Sequence, residues 1–383
     1  MAKPIVLVIH GMGTHHINPN LSSEDIAKNI QEDKQEENYV VIDLNGRSNV
    51  KTKTQKEIIN GIKETAKHFK FDDYQFDQKV DLREFNYSKD LDDIRLNDAE
   101  KAQALIDHLP VLKGLGLGPE IVAKMLEKLA DSDQDKMFFT HWMDVVYYGL
   151  MYWGEKIRVD LAVMLNNLLI EQRDTGADIH IIAHSLGTAV LHDTLAKLYR
   201  KDADIMSHVP QLDLDGFKFD SITMVANVSR LLNLLNGIAD PHHSVVNSGP
   251  NGCALRFYNF YNEFDPFTWF KHWDTTIPTG NKHRETTIRN PNTHDLTEYS
   301  AAPYITYCWM ANIANETING DDYKTAIVKH KETSLDKPYD DIKEAYQILM
   351  NKPEPVDAFK AIIAIFEASN DAYDLAKSML EDF

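Results

Sequence analysis

Residues 178–190 read Asp-Ile-His-Ile-Ile-Ala-His-Ser-Leu-Gly-Thr-Ala-Val, and they place a serine, Ser185, where it can act as a nucleophile. An apolar run from Ile179 to Ile182, with His180 inside it, predicts a strand; Thr188, Ala189, Val190 and Leu191 suit the start of a helix. A serine on so sharp a strand-to-helix turn is forced into a strained backbone conformation, with its hydroxyl exposed to a substrate. Strand and helix approach closely there, so the positions two before and two after the serine must be small. Gly187 meets that need, and Ala183 comes within one methyl of it. The pattern is A-x-S-x-G, which also fits an ordinary strand-to-helix turn without chemistry.

A second group lies at the start of the chain. Ile5, Val6, Leu7, Val8 and Ile9 predict a strand buried on both faces, hence a central parallel strand, and it runs into His10, Gly11, Met12 and Gly13. Glycines just past the carboxyl end of such a strand let backbone N–H groups face a crevice. Acyl transfer needs two such donors for the oxyanion that develops in the transition state. The pair expected here is the N–H of Met12 and that of Leu186, the residue after the serine. A dinucleotide fingerprint is disfavoured, because His16 stands where its third glycine belongs.

Chain order supplies the acid and the base. A further buried strand is predicted over Ser221–Ala226 and another over Ala254–Tyr261, the latter leading to Asp265 with Pro266 to stop it. Thr286–Arg289 predicts a short last strand, and the polar loop Asn290–Thr293 then delivers His294. A base must take the serine proton and an acid must orient that base. Ser185, Asp265 and His294 fill those roles in the order Ser…Asp…His. His272 and His283 compete as base without directly following the last strand. Asp240 is the second choice as acid, after a helix-like stretch rather than a strand.

With the H-G-x-G turn, the A-H-S-L-G pentapeptide, the D-P after the next-to-last core strand and the late histidine, the chain resembles the lipase- and esterase-like serine hydrolases of the α/β-hydrolase superfamily. The resemblance covers residues 4–13, 137–195, 219–266 and 284–308. It implies a single α/β-hydrolase domain over 1–383, with a central mostly parallel sheet flanked by helices. An inserted helical cap over 91–135 and a helical C-terminal extension over 304–383 would complete it. It implies hydrolysis of carboxylic esters, lipid esters included, through an acyl-enzyme, with a phospholipase or a protein-thioester hydrolase as alternatives. A catalytically silent hydrolase fold that only binds is the alternative of another class.

Composition fits this expectation. The chain has 383 residues, 43% of them hydrophobic, enough for a large core. The net charge of −19 argues against nucleic acid and anionic membranes as general partners. The most apolar later segment, Val145 to Trp153, is too short to span a bilayer, which leaves only transient contact with a lipid surface open. The first apolar run belongs to a strand rather than a signal peptide, and two cysteines, Cys253 and Cys308, form no disulfide framework. Both point to a cytoplasmic protein. The oligomeric state is not legible.

The long stretch between the oxyanion turn and Ser185 predicts a strand over Tyr39–Leu44, a helix with Ile58, Ile62, Ala66 and Phe69 on one face, and a strand over Val80–Tyr87. Residues 91–135 carry leucines around Gly114, Gly116 and Gly118, which suits either a lid over an acyl pocket or a helical hairpin packed on the body. Trp142–Leu169 predicts one long apolar helix. His10, Gly11, Gly13, His184, Phe264 and Phe267 are expected around the substrate, though His184 and the phenylalanines also suit plain packing. His15–His16 and His242–His243 have no acidic partner three or four residues on, so no metal and no cofactor is expected. Apolar positions from Ala358 to Met379 predict a final helix pair.

Overall fold

The computed structural model describes residues 2–11, 42–48, 51–87, 152–230, 238–268, 281–290 and 293–334, with Leu91, Tyr148 and Leu232. The first strand, β1 (Ile5–Ile9), is followed by helix α1 (Lys53–Ala66), a one-turn helix α2 (Phe76–Lys79) and strand β2 (Asp81–Phe85). Helix α3 (Tyr152–Thr175) leads into β3 (Ile179–His184), and α4 (Leu186–Arg200) follows after a single residue. The short α5 (Ala203–Met206), then β4 (Phe219–Val225), β5 (Ala254–Asn262) and β6 (Asn281–Glu285) complete the sheet. Helices α6 (Leu296–Ser300), α7 (Pro303–Asn312) and α8 (Gly320–Glu332) close the described chain.

The strands form one sheet in the order β2-β1-β3-β4-β5-β6, and every neighbouring pair is parallel. The protein is therefore of the α/β class. Burial follows from the alternation of side chains along each strand. Ile5, Leu7 and Ile9 of β1 join Leu161, Leu165 and Leu168 of α3 and Ala189, Val190 and Leu195 of α4 in one core. Val6 and Val8 point the other way, into a second core with Ile58 and Ile62 of α1 and Ile305 and Trp309 of α7. A central strand covered on both faces needs a continuous apolar run, which is why β1 and β3 were legible as such. Each fully buried aliphatic side chain stabilises the fold by about 1.5–3 kcal/mol.

The helix marked by Ile58, Ile62 and Ala66 forms as α1, and Phe69 lies on the 3₁₀ turn Lys67–Phe69 that follows it. Its start is fixed by a capping box, in which the Thr52 side chain accepts the Gln55 N–H and the Gln55 side chain accepts the Thr52 N–H.

Three expectations are corrected. The strand predicted over Tyr39–Leu44 does not continue through its described residues: Ile42 makes one isolated bridge to Ser48, and the chain turns at Asp43. The Asp43 carboxylate accepts the N–H groups of Asn45 and Arg47, a local bond that competes with any ladder, and Leu44 is left exposed. The last strand is Asn281–Glu285, not Thr286–Arg289. As the end strand of the described sheet it has a ladder partner on one side only, and its polar residues face outward. Thr287 and Ile288 are buried in the loop after it. The helix predicted from Trp142 ends later than expected, at Thr175. The segment 91–135 beyond Leu91, and the final helix pair, lie outside the described residues.

The chain runs from β1 outward to β2, then returns to β3 on the opposite side of β1 and proceeds to β4. Connections thus leave β1 and β3 in opposite directions, a topological switch point. Gly11 and Ser185 both lie just past the carboxyl ends of these strands.

Candidate active site

Ser185 is the single residue between β3 and α4, with φ 52° and ψ −126°. A non-glycine residue there stores strain of about 1–3 kcal/mol, so the surroundings must hold it. They do so on both sides. Its N–H donates to the carbonyl of Val225 at 3.0 Å. Its carbonyl accepts both the N–H of Thr188 at 2.9 Å and the Thr188 hydroxyl at 2.6 Å.

Close packing explains the small residues around the turn. A Cβ placed on Gly187 would lie 2.3 Å from the carbonyl oxygen of His10 and 2.5 Å from that of Ile9. The first turn of α4 therefore rests directly on the end of β1. One on Gly11 would lie 2.9 Å from the Ser185 Cβ. Ser185 itself keeps only 1% of its surface exposed, so the open hydroxyl expected from the turn alone is not what the structure has. Gly11, His184 and His294 crowd it.

The end of β5 bends into Asp265, which is fully buried. The Asn262 side chain accepts the Phe264 N–H and donates to the Thr287 carbonyl, tying this bend to the segment after β6. The loop carrying His294 is anchored beside it, where the Thr293 hydroxyl donates to the Phe264 carbonyl at 2.9 Å. Asp295 caps α6 immediately after.

These anchors bring the three residues together. The Ser185 hydroxyl donates to His294 Nε2 at 2.6 Å, and His294 Nδ1–H donates to Asp265 Oδ2 at 2.8 Å. Such an arrangement can pass the serine proton to the imidazole while the carboxylate fixes the ring tautomer. Leu186, the first residue of α4, contributes one of the N–H groups that a helix start leaves without an intrahelical acceptor. Met12 and Gly13 lie outside the described residues, as do His15, His16 and His272.

His10 is buried and stacked on Tyr87, with ring centroids 4.4 Å apart. The Tyr87 hydroxyl donates to the carbonyls of His10 and Gly11, and its N–H donates to His10 Nε2. The Gly11 backbone thus lies against Ser185, and the His10 carbonyl against Gly187. Phe267 packs its ring 4.5 Å from that of His294. Phe264 serves the bend through its backbone.

Asp240 and His283 sit elsewhere. Asp240 faces Arg230 and His243, and His283 faces Glu285 on β6 with its ring stacked on Tyr304. Among the described residues no cluster of three or more His, Cys, Asp or Glu side chains could hold a metal ion.

Two residues have supporting roles that no sequence pattern assigns. His184 Nε2–H donates to the His294 carbonyl at 2.9 Å, so it ties the serine turn to the loop that carries His294. Tyr299 donates its hydroxyl to Asp265 Oδ2 at 2.7 Å; burial first, and the adjacent Asp265 second, hold this phenol protonated well above its ordinary range. A histidine beside the serine was visible but ambiguous, and a tyrosine in a short amphipathic helix carries no spacing rule.

No protein-family model matches this sequence, and no curated protein or solved structure matches it either.

Proposed function

We propose that the protein is a serine hydrolase of the α/β-hydrolase fold, cleaving carboxylic esters through an acyl-enzyme. The observation that carries this reading is the continuous chain Ser185–His294–Asp265, built on a strained strand-to-helix serine at the switch point of a parallel sheet. The chain order Ser…Asp…His supports the same fold family.

In the proposed mechanism His294 Nε2 takes the hydroxyl proton as Ser185 Oγ bonds to the ester carbonyl carbon. The carbonyl oxygen becomes an oxyanion, received by the N–H of Leu186 and, from the sequence, that of Met12. The carbon–oxygen bond to the alcohol then breaks, and the imidazolium returns its proton to the leaving alkoxide. Water attacks the acyl-enzyme with the same histidine as base, releasing the acid and restoring Ser185. Asp265 holds the imidazole in its productive tautomer and orientation.

The substrate class is a carboxylic ester. Among the described residues no helix is long and apolar enough to cross a membrane. The test is hydrolysis of p-nitrophenyl esters of rising chain length by the full chain. Turnover should fall by several orders of magnitude in Ser185→Ala, leaving only the contribution of the oxyanion donors and binding. Turnover retained by Ser185→Ala would overturn the reading.

A further inference from the structure

Asp265 is enclosed without a single exposed atom, yet its carboxylate makes more bonds than a two-partner relay needs. Oδ1 accepts the Phe267 N–H at 3.1 Å. Oδ2 accepts two donors, His294 Nδ1–H at 2.8 Å and the Tyr299 hydroxyl at 2.7 Å. A carboxylate oxygen has two lone pairs in the carboxylate plane, so two donors to one oxygen fix its orientation in a way one donor cannot.

The phenol is fixed in its turn. The Asn262 N–H, at the last residue of β5, donates to the Tyr299 oxygen at 2.9 Å. A hydroxyl has one proton, and with a lone pair committed to Asn262 that proton is directed to Asp265. Tyr299 stands on α6, whose start is capped by Asp295, the residue after His294. The tyrosine therefore links the strand that presents the acid to the helix that begins at the base.

Resting on the serine-hydrolase reading above, we propose that Tyr299 is a positioning residue of the Ser185–His294–Asp265 relay, holding the Asp265 carboxylate in the plane and basicity that orient His294. It touches neither substrate nor serine and acts through Asp265 alone. Among the described residues, the charged and titratable neighbours of this unit are His184 on β3, Asp295 before α6, Glu298 on α6, Glu285 on β6 and His330 on α8. The last three line, with Asn262 and Tyr299, a pocket of about 10 Å³. That holds no more than about one water, so no ligand competes for the phenol.

The chemistry sets the direction of the effect. Removing the phenol proton leaves Asp265 a stronger acceptor for His294, which makes the imidazolium harder to deprotonate. In Tyr299→Phe, kcat on a p-nitrophenyl ester should fall about tenfold, the order expected for one charge-assisted bond acting through a second residue. KM should stay unchanged, and the acid limb of kcat/KM should move to higher pH. Fluorotyrosine placed at position 299 keeps the fold and the Asn262 bond but donates more strongly. It should move the same limb to lower pH, and it tests the proposal even if Tyr299→Phe fails to fold. The downfield proton resonance of the His294 Nδ1–H bond should shift in both variants.

A buried tyrosine with a purely structural role would change melting temperature and leave the limb and the resonance in place; that result overturns the proposal. The resonance is read without turnover. A protein that hydrolyses no ester would thus count against the functional reading, while the resonance still decides the role of Tyr299.

Discussion

Replacing Gly187 by alanine tests the packing on which the serine turn depends. The added Cβ would stand 2.3 Å from the His10 carbonyl oxygen and 2.5 Å from the Ile9 oxygen, where ordinary contact begins at 3.4 Å. Both obstacles are backbone at the end of a central strand, so neither can rotate away. Relief requires α4 to withdraw from β1 by about 1 Å, and overpacking of this kind costs about 1–3 kcal/mol. The better helix propensity of alanine returns at most about 1 kcal/mol. The net loss should lower the melting temperature by a few degrees. Activity should suffer more. Ser185 and Leu186 ride on the withdrawn turn while His10 and Gly11 stay with β1, and a misplacement of about 1 Å costs on the order of 10²-fold in turnover. The control is Gly320→Ala on α8, where a Cβ meets nothing within 4 Å. That change should be neutral or stabilising by up to about 1 kcal/mol. Thermal melts and ester turnover of both variants decide the matter. If Gly187→Ala melts with Gly320→Ala and turns over like the parent, the close approach of α4 to β1 does not govern the site.

Asp265→Asn should fold and lose about 10⁴-fold in kcat, because an amide facing Nδ1 favours the wrong imidazole tautomer. Asp240→Asn, whose carboxylate faces Arg230 and His243, should change steady-state turnover little. Stability should depend on pH in two opposed ways. Burial pushes Glu84 up to about 7 from 4.5, against hydrogen bonds from Thr52, Asn86 and Thr54 that lower it. The native state then keeps a proton that the unfolded chain releases, so this contribution is complete below 4.5 and is lost as pH rises through about 7. The size is on the order of 3 kcal/mol, and Glu84→Gln should flatten that slope in urea titrations. Burial also lowers His180 and His330 from 6.5 to about 4, so they stay neutral in the fold. Their contribution is present above 6.5 and is lost as pH falls towards 4. An unfolding free energy that does not decline on either side would contradict these burials.

The sequence revealed what is buried on both sides and little of what is buried on one. β1, β3, β4 and β5 show as apolar runs because helices cover both their faces. β6 does not, since Asn281, Lys282 and Arg284 face outward at the end of the described sheet, and the β-branched residues after it belong to a loop. His294 is reached in the sequence through the polar residues before it rather than through that strand's bounds, and the structure sets it against Ser185 and Asp265. The serine turn was legible through Gly187, whose need for smallness is a backbone contact. Tyr299 and Tyr87 were not, as each acts on a partner distant in sequence and no local pattern encodes such a bond. Over Ile42–Leu44 the reverse holds: the Asp43 carboxylate takes the N–H groups of Asn45 and Arg47, and Ile42 makes only an isolated bridge.

The central claim is that Ser185 is an activated nucleophile. A fluorophosphonate probe reacts with such a serine and leaves ordinary hydroxyls alone. The full chain should therefore carry a single adduct, and peptide mass spectrometry should place it on Ser185. The adduct should vanish in Ser185→Ala and weaken sharply in His294→Ala. A probe adduct on another residue, or none on a folded chain, would contradict the account.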